Sequence, residues 1–415
     1  MSRSFKFVHT ADIHLDAPFV GVSAKDVRVQ EELIRATYAA LDRVATIAVE
    51  RQVDFVVVAG DIYNTKDKST RAQLRFRSVM QRLAEANIGV YLVHGNHDPA
   101  NGYSAGLDMP DNVHYFSTTK VERIEVKDAS GQTLCALYGQ GFGTAVVTDN
   151  LARRFSRQAG DETAIGVLHA NVGGQQGYEN YAPCTLQDLR DAKMDYWALG
   201  HIHKKQDLGD SPKIRYCGSP QGLNPKEDGA HGCWVVTMNR GEVTEEEFVE
   251  TDSVRWHQTT IDVGQMNKVD DLVDALRDEC TRCRVESGGR PAIVRIDLVG
   301  RTEVNASISR GSTFDEVVEE LRREQLEATP WLLVERVRNR THPAFDIEFL
   351  REVEDFTGDL IRFTDTLEGH TAAKAFLGEV LGGVDTAFGE FERDEAELIR
   401  RARDLSLSRL LEEDR

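Results

Sequence analysis

The chain has 415 residues, 40% hydrophobic and 29% charged, with a formal net charge of −19. That length allows two or three domains with a large buried core. The charge counts against a generic polyanion binder, and no run of about 18 apolar residues occurs, so neither a membrane span nor a membrane partner is expected.

The excess acid is uneven. Thr341 to Arg415 carries 9 Lys+Arg and 19 Asp+Glu, a net of −10. Bound cations would offset acidic ligands elsewhere. Met1 to Lys6 runs straight into a strand-like stretch and lacks the apolar region of a signal peptide. Cys135, Cys184, Cys217, Cys233, Cys280 and Cys283 are scattered, which predicts reduced thiols and a cytoplasmic setting.

Phe5 to His9 predicts a strand, ending in Thr10-Ala11-Asp12-Ile13-His14-Leu15-Asp16. A helix follows over roughly 27–51, with Ile34, Leu41, Val44 and Ala48 on one stripe. Val53 to Val58 is too continuously β-branched for an exposed strand and ends in Ala59-Gly60-Asp61. A second helix, about 69–87, leads to Val90-Tyr91-Leu92-Val93 and Gly95-Asn96-His97-Asp98. Short strands are expected between Val113 and Tyr138. Two more buried strands end at His169 and at Gly200-His201-Ile202-His203. Strands near Ile214, Gly232 and Thr244 close a first α/β domain, 1–252. A second, 253–342, reads strand, helix (269–283), strand (292–299), helix (313–326), strand (331–337). The acidic remainder, 343–415, reads as helix. Phe349, Val353, Phe356, Leu360 and Phe363 recur like a heptad seam, and Leu377, Leu381, Val384, Phe388 and Phe391 repeat the pattern.

Five loops, each after a buried strand, thus offer ligand-type side chains: Asp12 and His14; Asp61; Asn96 and His97; His169; His201 and His203. In open α/β sheets ligands bind just past the strand ends. Singly, each residue has a plainer explanation: a strand-end His is commonly a partly exposed polar group, and Asp61 could be a turn or cap residue. Together they suit two divalent ions about 3.5–4 Å apart, which need a shared ligand such as Asp61. Mixed His/Asp/Asn donors favour Mn²⁺, Fe²⁺ or Zn²⁺ over Ca²⁺. On extended backbone, the pairs Asp12/His14 and His201/His203 would each project from one face.

This order of D-x-H, G-D, G-N-H-D, a lone His and G-H-x-H resembles the calcineurin-like metallophosphoesterases. The resemblance implies a β-sandwich flanked by helices, followed here by a smaller α/β capping domain and a helical C-terminal tail. It implies that Asp12, His14 and His203 hold one metal, that Asn96, His169 and His201 hold the other, and that Asp61 bridges. His97 would serve the leaving group, with Asp98 as the acceptor that orients it. His9 to Leu15 is similar to the H-T-[AS]-D-x-H-L opening of the DNA-repair exonuclease branch, which holds Mre11 and SbcD nucleases and YhaO-type proteins. Asp16 to Phe19, Asp61-Ile62-Tyr63 and Arg71 to Phe76 are closest to the YhaO type, and Tyr216 to Gly222 resembles the branch's Y-x-G-S-x-Q turn.

The resemblance therefore implies DNA phosphodiester hydrolysis, exo- or endonucleolytic, with two ions, Mn²⁺ foremost. An SbcC/Rad50-like ATPase would dock through cap or tail, and a homodimer is compatible. Asn64 departs from the branch, whose Mre11 nucleases carry His at that position; an amide can bond a phosphate but cannot transfer a proton. Lys66, Lys68, Arg71, Arg75 and Arg77 offer contacts to DNA phosphates or simply a solvated helix face. Cys280 and Cys283 are half a zinc site and read as unpaired thiols. Trp256 and Trp331 read as core, and His9 and His94 as supports for the site. Two other functions fit the same fold: a phosphoesterase for small phosphodiesters or phosphoproteins, and a non-catalytic scaffold.

Overall fold

A computed structural model describes residues 4–22, 26–65, 69–103, 105–309, 312–367 and 395–413, together with Ala372 and Phe376. Lys66, Lys68, Leu377, Leu381, Val384, Phe388 and Phe391 lie outside the described residues. The chain divides into two compact units. The first holds 1–258, 284–293 and 329–335, and the second holds the rest.

The first unit is a mixed α/β sandwich. Strands β1 (Phe5–Thr10), β2 (Phe55–Ala59), β3 (Gly89–Val93) and β4 (Val113–Tyr115) run parallel. Later in the chain come β5 (Glu122–Lys127), β6 (Thr133–Gln140), β7 (Ala164–His169), β8 (Tyr196–Gly200), β9 (Gln206–Asp210), β10 (Lys213–Tyr216), β11 (Gly232–Asn239) and β12 (Glu242–Glu250). One sheet has the order β12-β11-β1-β2-β3-β4, and the other β5-β6-β7-β8-β10-β9. Phe5, Phe7, Phe55 and Val57 of the first meet Leu137, Ile165, Val167 and Tyr196 of the second in a buried core. Each such side chain contributes about 1.5–3 kcal/mol by leaving water. This two-sided burial is why β2 and β7 lack polar alternation.

Helices α1 (Val27–Glu50) and α2 (Thr70–Glu85) cover the outer face of the first sheet. Asp26 caps α1 by accepting from the N–H groups of Arg28 and Val29, and Ser69 caps α2 through Ala72 N–H. The α1 stripe runs through Leu33, Leu41, Val44 and Ala48. Ile34, expected on it, is 57% exposed because it lies one position, about 100° of helix, off the buried line. The short helix α3 (Leu186–Asp191) and the edge strand β9 were not anticipated. Gln206–Asp210 is polar and half-exposed, so it lacks the apolar signal of a strand.

A three-stranded sheet of β13 (Arg255–Asp262), β14 (Ala292–Thr302) and β15 (Leu332–Pro343), in that order, supplies the second unit with residues 259–262, 294–302 and 336–343, beside most of helix α4 (Val269–Glu286) and all of α5 (Asn305–Ser309) and α6 (Ser312–Glu327). The unit's later helices are α7 (Ile347–Arg351), α8 (Phe356–Asp365) and α9 (Glu395–Glu413). His342 Nδ1 bonds Asp404 of α9 at 2.6 Å, and Arg301 reaches the same carboxylate at 3.3 Å. The expected seam through Phe349, Phe356 and Phe363 is not a continuous helix. Asp355 caps a new helix at Gly358 N–H, the seven-residue phase is lost, and the three rings are 50–68% exposed. Trp256 and Trp331 are buried, and all six cysteines are buried and unbridged. Among the described residues no helix is long and apolar enough to cross a membrane.

Candidate metal centre

Parallel pairing of β1 with β2, β2 with β3 and β7 with β8 aligns their C-terminal ends. The loops beyond those ends meet across the sandwich. Asp12, His14 and His203 form one group whose ligand atoms lie within 4.8 Å of one another. Asp12, Asp61 and His169 form a second, and His14, Asp61 and His97 a third. His169 Nε2 stands 3.3 Å from Asp61 Oδ2 and 2.9 Å from Asn96 Oδ1, and His201 Nδ1 lies 3.2 Å from that amide oxygen. All seven expected ligands therefore converge, with Asp61 shared between groups.

The backbone that delivers them differs from expectation. Asp12, His14, Asp61 and His201 have φ of 50°, 47°, 51° and 97°, so neither D-x-H nor H-x-H is extended. A left-handed conformation costs a non-glycine residue roughly 1–3 kcal/mol. Hydrogen bonds hold it in place. Asp12 N–H donates to Gly60 O, His14 N–H to Asp61 O, and His201 N–H to the Asp12 carboxylate at 2.9 Å. Gly95 is required for space, because a Cβ there would collide with the Asp61 carboxylate.

The outer nitrogen of three of the four ligand imidazoles faces an acceptor. His169 Nδ1 donates to Ala59 O at 2.9 Å, His201 Nε2 to Glu179 O at 2.7 Å and His203 Nδ1 to Glu227 Oε1 at 2.7 Å. These bonds fix the tautomers and aim the inner lone pairs at one another and at Asn96 Oδ1. His203 Nε2 faces His14 Nε2 at 3.1 Å. Without a cation, a neutral pair needs the proton on His14 Nε2, and the buried His14 Nδ1 then has no hydrogen-bond partner. A donor set turned inward in this way fits divalent metal ions.

Charge follows the same logic. Burial pushes Asp12 up to about 6, helped by Asp61 and opposed by His169 and His203. Asp61 is driven below the carboxylate range despite burial, because His169, His14 and His97 surround it. Burial lowers His14 to about 3 and His201 to about 4, each aided by a neighbouring histidine. Burial also opposes charge on His169 and His203, but Asp61 beside the first and Glu227 beside the second raise both to about 9. Two protons thus stand where cationic charge is needed.

His97 lies beside the ligands, its ring edge-on to His14 with centroids 4.8 Å apart. Its expected acceptor is corrected: His97 Nδ1 bonds Asn64 O at 2.7 Å. The Asp98 carboxylate instead accepts from Ile62 N–H and Gly95 N–H, both at 2.9 Å, and pins two ligand loops together. The reason is reach, since Asp98 is fully buried beneath the loops. His9 is buried between Tyr196 OH and Leu199 O, and His94 stacks on Tyr115, so both are supports. Arg75 pairs with Asp42, and Arg71 lies over the Tyr38 ring, which gives these two cations structural roles. Sequence reasoning missed Glu227. Only the rule that a metal-binding imidazole needs an acceptor on its far nitrogen calls for such a carboxylate.

Residues 5–205 match the calcineurin-like phosphoesterase family, and residues 256–342 match the middle domain of metallophosphoesterase YhaO. An uncharacterized metallophosphoesterase, YhaO of Bacillus subtilis, is 31% identical over 376 residues, covering 89% of this chain and 90% of the relative. The DNA double-strand break repair protein Mre11 of Thermoplasma acidophilum is 24% identical, covering 75% of this chain and 81% of its own length. A component of the nuclease SbcCD of Bacillus subtilis is also 24% identical, covering 57% of this chain and 67% of its own length. With its sandwich, its inward-facing ligands and a 31% identical relative spanned almost end to end, the chain belongs to the calcineurin-like metallophosphoesterases and resembles their YhaO type.

Proposed function

We propose that this metallophosphoesterase hydrolyses DNA phosphodiester bonds, as an exonuclease or endonuclease in DNA repair, with two Mn²⁺ ions and an SbcC/Rad50-like ATPase partner. The observation that carries the phosphodiesterase part is the wiring of His169, His201 and His203, each held by an outside acceptor with its inner nitrogen turned into the site. A divalent pair bound there supplies Lewis acidity that activates water and neutralises phosphate oxygens. With Nδ1–H of His97 donated to Asn64 O, Nε2 is left for the departing oxygen, to which it hands a proton when the ring is in its imidazolium form. Asp98 fixes the loops that carry Asp61 and His97.

The DNA substrate is supported by similarity to an Mre11 repair protein and to a component of the SbcCD nuclease. The exposed rings of Phe349, Phe356 and Phe363 support a partner on the tail, since a docked protein would cover them. The test is to load purified protein with Mn²⁺ and assay labelled single- and double-stranded DNA beside bis-p-nitrophenyl phosphate. Cleavage of DNA is expected. Turnover of the small ester alone would sink the nuclease reading, and metal bound without turnover of either would point to a scaffold.

A further inference from the structure

His201 has two acceptors for one proton. Its Nε2 lies 2.7 Å from Glu179 O, outside the site, and its Nδ1 lies 3.2 Å from Asn96 Oδ1, inside it. A neutral imidazole carries a single N–H. With the proton on Nε2, the Nδ1 lone pair faces the site and is free for a metal. With the proton on Nδ1, that nitrogen is blocked. The group that fixes Glu179 O therefore decides which nitrogen His201 offers inward.

Glu179 lies in the loop from β7 to α3, in a stretch where Gln176, Gly177 and Asn180 are also exposed. Gly173, Gly174 and Gly177 of this loop have positive φ, and a Cβ on any of them would meet nothing. Such a loop needs an internal anchor to hold one carbonyl in place. Asn171, fully buried, is that anchor. Its Oδ1 accepts from Gln175 N–H at 2.7 Å, and its Nδ2 donates to Gln175 O and Glu179 O, both at 3.3 Å. Reversed, the amide would set its oxygen against two carbonyls and its NH₂ against an N–H, so its orientation is fixed. The backbone around it is pinned in turn. Tyr216 OH donates to Ala170 O at 2.6 Å and accepts from Val172 N–H at 3.0 Å, and Asn171 N–H donates to Tyr181 O at 2.9 Å. The tyrosine that opens the Tyr216 to Gly222 turn thus supports the loop on which His201 depends.

We propose that Asn171 is a positioning residue for the metal centre: it holds Glu179 O against His201 and so keeps the proton off the nitrogen that meets the metal. The end of β7 then supplies one ligand, His169, and two residues on the group that orients another. The inference rests on the metal-centre part of the reading above and is independent of the DNA substrate.

The test reads the His201 tautomer directly, by long-range ¹H–¹⁵N spectra of the metal-free full chain labelled on histidine. The His201 signals are identified by their loss in His201→Gln. Asn171→Asp keeps the shape and the acceptor for Gln175 N–H but sets an oxygen against Glu179 O. The control is Gln206→Ala, which cuts a different tie of the same loop, the amide pair of Gln206 of β9 with Gln175 at 3.0 and 2.8 Å. Asn171→Asp is expected to move His201 from the Nε2–H to the Nδ1–H form. It should weaken Mn²⁺ binding, measured by chelator competition, about tenfold, the low end for groups that orient a ligand. Gln206→Ala should change neither. Melting curves check folding, and Asn171→Ala carries the comparison if Asn171→Asp does not fold. Retention of the Nε2–H form would overturn the proposal even if affinity fell, because affinity alone would mark a structural role. A shifted tautomer with unaltered affinity would overturn it too. Equal changes in Gln206→Ala would assign the effect to the loop as a whole and reject Asn171. In each of these cases the unmutated chain still binds Mn²⁺ and the metal-centre reading stands. An unmutated chain that binds no Mn²⁺ would overturn that reading and this inference with it.

Discussion

His14 Nε2 and His203 Nε2 face each other at 3.1 Å, and the far nitrogen of His203 is held by Glu227 at 2.7 Å. Glu227 is buried, accepts from Leu223 N–H and Asn224 Nδ2, and is held down to about 2 because the His203 bond outweighs its burial. Glu227→Gln keeps an acceptor and removes the charge. Metal affinity, read by chelator competition, should fall roughly 10–100-fold. An unchanged affinity would show that Glu227 only braces its loop.

Metal loading should release protons. His169 and His203 stand at about 9 in the metal-free protein, so both are charged at pH 7, and a ligand imidazole must be neutral. Uptake is therefore expected to displace on the order of two protons per chain, and affinity should weaken as pH falls below about 9. Calorimetry in buffers of different ionisation enthalpy measures the number. No buffer dependence would contradict this protonation scheme.

His97 and Asp98 are neighbours with separable roles. His97→Ala should leave metal content and melting temperature near those of the parent and lower turnover by about 10²–10⁴-fold. Asp98→Ala strands two buried N–H groups, those of Ile62 and Gly95, at a cost of about 2–5 kcal/mol. Its signature is a depressed melting temperature. If His97→Ala retains full turnover, the leaving-group role is wrong.

Gly95→Ala tests the packing beneath Asp61. The added methyl would meet the Asp61 carboxylate and its backbone nitrogen. Metal stoichiometry should drop even though no ligand has been removed. Full occupancy by elemental analysis would mean that the loop yields more easily than its packing suggests.

The ligands were legible because each follows a buried, β-branched or aromatic run, and strand ends are where an open sheet gathers its ligands. Their acceptors were not. Ala59 O lies 110 positions from His169, and Asn64 O lies 33 from His97, distances that no local pattern encodes. The turn geometry of Asp12 and His14 was misread because period-two spacing also describes two left-handed residues in a tight loop. In the tail, a correct seven-residue count met a helix break that only the Asp355 cap explains.

The closest imidazole pair in the centre straddles the sandwich. His14 comes from the first sheet and His203 from the second, and His169 is oriented by a carbonyl of the opposite sheet. The groups Asp12/His14/His203 and Asp12/Asp61/His169 each draw ligands from both sheets, so neither is complete until the sheets have docked. Metal is then expected to act as a late lock. It should slow unfolding in a stopped-flow experiment while leaving the rate of sheet docking almost unchanged.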